Sequence, residues 1–275
     1  MTTVGGGLRR AAERLEAAGC ESPRVDAELL LAQVLTTSRA ALYGESGRRL
    51  SAGELAAFGA LVARRARREP VAYILGEWGF RRLSLRVDRR VLVPRPETEV
   101  VVERCLDRVL CIDAPLPVPT SRTCGAIALA IADEHPGARI TGIDASADAL
   151  AVARANAARL GLTIELERRD LFDGLPRGPW DLVVANPPYV SPAEIDALEP
   201  EVRDWEPRTA LVADGATEAV ARGALGVLGD RGALVLEVAD RRAGEVASLL
   251  RDLGYREVET TRDLTGRPRV VEGVP

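Results

Sequence analysis

The sequence predicts an α/β protein, in which a mostly parallel sheet covered by helices on both faces follows a small all-helical module and is joined to it by a β-hairpin. Three observations predict this. Beyond residue 97, stretches of strand character alternate with helix-length segments, and repeated βα units imply parallel strands under helices on two faces. From about residue 5 to residue 69 the pattern is helical throughout. Between them, VAYILGEWGFRRLSLRVDRRVLVPRPE is β-branched, aromatic and alternating, interrupted by Gly76 and Gly79, which reads as a hairpin linking two domains.

The elements follow in order. The first module holds LRRAAERLEAAG, RVDAELLLAQVL, the short SRAALYG and SAGELAAFGALVARRARRE. Leu29, Leu30, Val34 and Leu35 recur at helical spacing, Ser22 and Ser51 occupy N-cap places, and Pro70 closes the module. The expected boundaries are 1–70 for this helical domain, 71–96 for the hairpin linker and 97–275 for the α/β domain. In the last, ETEVVVERCLDRVL and GAIALAIADEH read as helices, and ARITGID as a strand. Helix SADALAVARANAARLG, strands TIELERRD and WDLVVA, helix ATEAVARGALGVLG, strand GALVLEV and helix RRAGEVASLLRDLG come next. Strands REVETT and RPRVVEG close the chain, and the short TRDLTG between them predicts antiparallel pairing. The interval before GAIALA has room for a helix tail, a loop and a short strand. The prolines at 115, 117 and 119 fit poorly in a central strand, because each lacks a ladder donor.

Composition narrows the function classes. With 47% hydrophobic and 28% charged residues the chain has the balance of a soluble globular protein. No apolar run approaches the ~20 residues that cross a bilayer, and the start lacks the apolar segment of a secretory signal; a cytoplasmic monomer without membrane contact is expected. Cys20, Cys105, Cys111 and Cys124 lie far apart without a C-x-x-C pair, so neither a zinc site nor a redox dithiol is expected, and they read as reduced and mostly buried. The single histidine, His135, reads as a surface residue at a helix end, and no histidine-based triad can be built. All 37 basic residues are arginine, against 41 acidic ones, so net charge is −4 and the broad basic surface of sequence-independent nucleic-acid binding is missing. The cluster RRARR at Arg64 to Arg68 reads either as a local contact or, more simply, as a solvated helix face.

In open α/β sheets a ligand lies beyond the carboxyl ends of the strands, so the polar residues there carry the chemistry. ARITGID ends in Asp144, 19 residues after Gly125 at a helix start, a placement that suits ribose hydroxyls and equally suits a capping role before Ser146. TIELERRD ends in Asp170 followed by Leu171, an acceptor beside an apolar side chain that would suit an adenine. WDLVVA delivers NPPY to the same rim, a four-residue match expected by chance on the order of once in a thousand such chains. Pro187 pushes Asn186 into an extended conformation, and each ring of Pro187 and Pro188 fixes its own φ. The result is a rigid rim on which the Asn186 side-chain oxygen and the Pro187 carbonyl can hold one planar NH2 group, with Tyr189 as an aromatic wall. Such a nitrogen is weakly nucleophilic because its lone pair is delocalised; two acceptors at its protons favour the pyramidal attacking state without a strong base.

At this point the residues resemble a known group, the class I S-adenosylmethionine-dependent methyltransferases of planar nitrogen. The stretches EPVAYILGE, VLVPRPETE, GAIALA, NPPY, DWEPRTAL and RDLTGRPRVVEG resemble the release-factor glutamine methyltransferases in particular, across essentially the whole chain. The resemblance implies a Rossmann-like, seven-stranded methyltransferase sheet, S-adenosyl-L-methionine as cofactor, and the glutamine of the Gly-Gly-Gln loop in class I peptide release factors as substrate. It implies that Asn186 and Pro187 hold the glutamine amide, Pro188 and Tyr189 pack against it, Asp144 takes the ribose, Asp170 and Leu171 flank the adenine, and the helical domain helps grip the release factor. The family places D-x-G-x-G-x-G directly before GAIALA, where this chain has PLPVPTSRTCGAIALA; only Gly125 matches, Pro119 stands in the acid's place, and Ser121 and Thr123 replace glycines. Ala239 stands where the family tends to have glycine. The altered turn keeps a second reading open, a non-catalytic remnant that binds release factor with a defective cofactor loop. NPPY alone keeps a third, a nucleic-acid amino methyltransferase.

Overall fold

The computed structural model describes residues 2–109, 116–119 and 124–275. The chain divides into two compact units, Met1–Gly76 with Glu199–Trp205, and Glu77–Leu198 with Glu206–Pro275.

The first unit is helical: α1 (Val4–Ala17), α2 (Pro23–Leu35), α3 (Arg39–Gly44), α4 (Ala52–Arg65) and α5 (Val71–Leu75). Leu8, Leu15, Leu30, Leu31, Phe58 and Val62 face inward to form its core. Ser51 and Glu54 close a reciprocal capping box at the start of α4, which satisfies two otherwise orphaned backbone donors. Ser22 holds the N-cap place of α2 but its side chain makes no capping bond, and Pro23 takes the first helical position, where a missing N–H costs nothing. The arginine cluster is a solvated face only in part, at exposed Arg67 and half-buried Arg64. Arg65 is 5% exposed and pairs with Asp26 at 2.6 Å and Glu201 at 2.7 Å, while Arg64 pairs with Glu69 and Arg68 with Glu199 and Glu201. A buried guanidinium needs carboxylates around it, and two of these come from the segment Glu199–Trp205, which the cluster retains in this unit.

The second unit opens with the antiparallel hairpin β1 (Glu77–Phe80) and β2 (Leu83–Arg86). Then follow α6 (Pro96–Val109), β3 (Leu116–Pro119), α7 (Ala126–Glu134), β4 (Ile140–Asp144), α8 (Ala147–Leu160), β5 (Glu165–Arg168) and β6 (Trp180–Ala185). After α9 (Pro200–Arg203), which belongs to the first unit, come α10 (Arg208–Leu211), α11 (Ala216–Leu225), β7 (Leu228–Glu237), α12 (Ala243–Asp252), β8 (Arg256–Arg262) and β9 (Pro268–Val274). Strands β3, β4 and β5 pair in parallel, as do β6 and β7, and β9 lies antiparallel between β7 and β8. The closing hairpin therefore pairs as its short connection predicts.

The short strand for which this interval has room is present, since Leu116–Pro119 pairs with Ile140–Ile143 in register. Strand β3 also lies beside β6, yet the described ladders form one three-stranded and one four-stranded group, with the break between these two. Pro117 and Pro119 share one edge of β3 by parity, and an edge without N–H donors cannot build a ladder. The sequence penalty falls on one side of the strand and leaves the other intact.

Leu182, Val183 and Val184 of β6 and Leu234, Val235 and Leu236 of β7 are each at most 1% exposed, as central parallel strands covered on both faces must be. Cys20, Cys105 and Cys124 are free and buried. His135 is the half-buried C-cap of α7. Cys111, Pro115, Ser121 and Thr123 lie outside the described residues. Among the described residues no helix is long and apolar enough to cross a membrane.

Candidate active site

Three strand ends meet at one cavity. It is lined by Ile143 and Asp144 from the end of β4, Asp170, Leu171 and Phe172 after β5, Ala185, Pro187 and Pro188 at and after β6, and Val212 and Val220 beyond them. Parallel strands carry their carboxyl ends to one rim, so residues far apart in sequence become neighbours there.

Asp144 is 4% exposed, and its Oδ1 accepts the Ser146 backbone N–H at 2.7 Å. The α8 cap is made by Ser146 itself, whose Oγ accepts from the Ala149 N–H. The carboxylate is thus oriented by the turn while it borders the cavity. Asp170 is fixed similarly, its Oδ1 accepting the Phe172 N–H at 3.0 Å across the short 3-10 turn Leu171–Asp173. That turn exposes Phe172, whose aromatic side chain is 56% accessible at the cavity wall.

Asn186, Pro187, Pro188 and Tyr189 leave β6 in that order. Pro187 and Pro188 line the cavity; Asn186, half-buried, and Tyr189 do not. Tyr189 instead borders an adjoining polar groove with Ser191, Asp214, Glu218 and Arg242, which Pro188 also lines. Burial, and then the charge of Glu237, push the Tyr189 hydroxyl up to about 12, so it stays protonated at neutral pH. Gly125 also stays outside the cavity lining and opens α7 in the left-handed region, at φ 83°. A Cβ there would stand 3.1 Å from the Ala153 Cβ and 3.2 Å from a Leu129 methyl, so glycine serves both the turn and the close seating of α7 on α8.

Two features escape sequence reading. Buried Asn156 on α8 accepts from the Arg86 N–H and donates to the carbonyls of Arg86 and Cys124, tying the hairpin to the turn before α7. Glu237, at the end of β7, is 3% exposed and accepts the Thr98 hydroxyl at 2.7 Å. Burial pushes its carboxyl up to about 7 against the lowering effect of Thr98 and Arg269. Neither partnership has a local sequence signal, because Thr98 and Glu237 are 139 positions apart.

Two carboxylate acceptors, apolar walls and an aromatic edge around one cavity fit a nucleoside, which offers ribose hydroxyls, an amino group and a flat apolar ring. The proline rim on the same cavity places a rigid acceptor edge next to it. Residues 8–76 match the PrmC N-terminal domain family, and residues 123–228 match the methyltransferase small domain family. A protein of Caulobacter vibrioides described as release factor glutamine methyltransferase is 41% identical over 96% of this chain and 93% of its own. Proteins of the same description from Rhodopirellula baltica and Vibrio cholerae are 40% and 38% identical over 92% and 98% of this chain, and 90% and 96% of their own. The match to the solved hMettl16 catalytic domain, at 14% identity and TM-score 0.59, covers 78% of this chain and 81% of that one, so the two share a fold. With near 40% identity over nearly its full length, and with strand-end carboxylates and the two prolines of NPPY on one cavity, this chain belongs to the release factor glutamine methyltransferases.

Proposed function

We propose that the chain transfers a methyl group from S-adenosyl-L-methionine to the side-chain amide nitrogen of the glutamine in the Gly-Gly-Gln motif of class I peptide chain release factors. The observation that carries this reading is that Pro187 and Pro188 border the same cavity as Asp144 and Asp170. When bound, the cofactor supplies a methyl group on a sulfonium. Asp144 would accept from the ribose hydroxyls, and Asp170 with Leu171 and Phe172 would hold the adenine. The turn at Gly125 would let the backbone approach closely. The Asn186 side-chain oxygen and the Pro187 carbonyl would accept both protons of the glutamine amide, turning its lone pair toward the methyl carbon. Tyr189, neutral at working pH, would close the side of the amide. The amide nitrogen gains a carbon bond and then loses a proton, which becomes acidic as that bond forms, so no strong base is required of the chain. The acidic charge of the chain and its family favour a protein substrate over a nucleic acid.

The test is methylation of purified release factor with a labelled methyl donor, followed by mass spectrometry of the Gly-Gly-Gln peptide. One methyl on that glutamine is expected. Asn186→Ala removes an acceptor used in orienting the amide and should lower the rate at least about 100-fold. Unchanged activity in that variant, or a methyl elsewhere, overturns the assignment. Calorimetric titration with cofactor checks the altered turn independently, and binding abolished by Asp144→Ala is the expected result.

A further inference from the structure

We propose that Glu237 is a positioning residue for this transfer: held by Thr98, its carboxylate supplies the negative charge behind the Asn186–Tyr189 rim, against which the amide nitrogen takes on positive charge. This rests on the transfer reading above.

The placement is set by register. Strands β6 and β7 pair in parallel with Ala185 opposite Leu236; Asn186 follows the first of these residues as the chain leaves β6, and Glu237 follows the second as the last residue of β7. On its other side β7 pairs with β9, where Glu237 faces Val270. Helix α6 contributes Thr98, whose hydroxyl donates to Glu237 Oε2. The groups in electrostatic reach of Glu237 are Arg269 from β9, Glu97 from α6, Arg95 just before it, and Tyr189 from the rim. The two arginines are themselves paired, Arg95 with buried Glu206 and Arg269 with Asp263, and both still act on Glu237 and Tyr189. Among the charges that act on Tyr189, that of Glu237 has the largest effect.

Chemistry gives that charge a direction. As the nitrogen lone pair makes the N–C bond and the C–S electron pair returns to sulfur, the positive charge moves from the sulfonium to the amide nitrogen that the Asn186 rim would hold, and a proton then leaves for water. A fixed negative charge on the acceptor side, shielded from water, favours that displacement and needs no reorganisation. Protonated Glu237 would not, so the rate should rise with pH as Glu237 ionises, near pH 7.

The experiment measures kcat and KM for release factor across pH in wild type, Glu237→Gln and Thr98→Val. Glu237→Gln should lower kcat roughly 10- to 100-fold with KM changed less than about threefold, and should lose the rising limb. Glu237→Asp should restore part of that limb. Thr98→Val removes a donor that favours the charged form, so the inflection should move to higher pH. A readout without turnover accompanies these: in protein carrying 13C-labelled tyrosine, the Tyr189 ring resonance, assigned with Tyr189→Phe, should titrate near pH 7 in wild type and not in Glu237→Gln. A flat Tyr189 resonance in wild type, or a Glu237→Gln variant with wild-type kcat and pH profile, overturns the proposal. Wild-type protein that titrates at Tyr189 yet methylates no glutamine overturns the transfer reading instead and leaves the electrostatic coupling standing.

Discussion

Gly125 shows how much one residue decides here. Its φ of 83° lies where an L side chain is strained, and a Cβ would press on Ala153 and Leu129 at 3.1 and 3.2 Å. Gly125→Ala should therefore destabilise the protein by about 1–3 kcal/mol, from backbone strain and overpacking together. Thermal unfolding should read this as a fall of several degrees, and titration should show weaker cofactor binding because the turn before α7 must shift. An unchanged melting temperature would contradict the geometry. Residues at this scale were legible in the sequence when their signal was local. A proline pair after an apolar run and an acid closing a strand announce themselves within a few positions, as at Asn186 to Tyr189, Asp144 and Asp170. Glu237, Asn156 and Phe172 did not, because a buried glutamate or asparagine is recognisable only once its distant partner is in place, and Phe172 reads simply as one more apolar side chain.

Among elements, the arginine cluster on α4 is the clearest case of context overriding pattern. RRARR has the look of a wet face, but Arg65 is 7% exposed in its side chain and lies between Asp26 on α2 and Glu201 of the returning segment. Removing it strands Asp26 with little water around it and leaves Glu201 to Arg68 alone. Arg65→Met should cost about 3–5 kcal/mol, measured by urea unfolding, and adding Asp26→Asn should recover part of the loss by removing the unpaired charge. A cost below about 1 kcal/mol would mean that the pairs are as weak as surface ones. The alternation of strands and helices was readable because period and length differ between them. The way Glu199–Trp205 leaves the sheet-bearing unit and joins the helical one was not, since it depends on charge pairs between segments more than 130 positions apart.

At the scale of the whole molecule, buried carboxylates give stability an unusual pH dependence. Glu237 is pushed up from 4.5 to about 7 by burial, and Glu206 is raised by the same cause despite its pair with Arg95. Between pH 4.5 and about 7 the folded state holds the Glu237 proton and the unfolded chain does not. The native state then binds more protons, the slope of unfolding free energy with pH is negative, and stability falls as pH rises through that window. In the opposite direction, carboxylates held below their usual range by arginine partners, such as Glu28, Glu134 and Glu201, contribute stability above about pH 4.5 that is lost as pH falls further. The two trends meet near the unfolded carboxylate value, so these groups place maximum stability well on the acid side of neutrality, near pH 4.5, where the first group is still protonated in the folded state and the second already ionised. Denaturant midpoints followed from about pH 4 to about pH 8 should trace that maximum. Glu237→Gln keeps the volume and can still accept from Thr98 but does not titrate, so it should flatten the descent and leave the variant more stable than wild type at pH 8 by up to a few kcal/mol. The same substitution is expected to slow methyl transfer, so gain of stability and loss of rate in one variant would identify Glu237 as a charge kept for function against the preference of the fold. A Glu237→Gln protein that is slower and also less stable above neutrality would refute that trade, because it would show the carboxylate to be a supporting contact of the native structure.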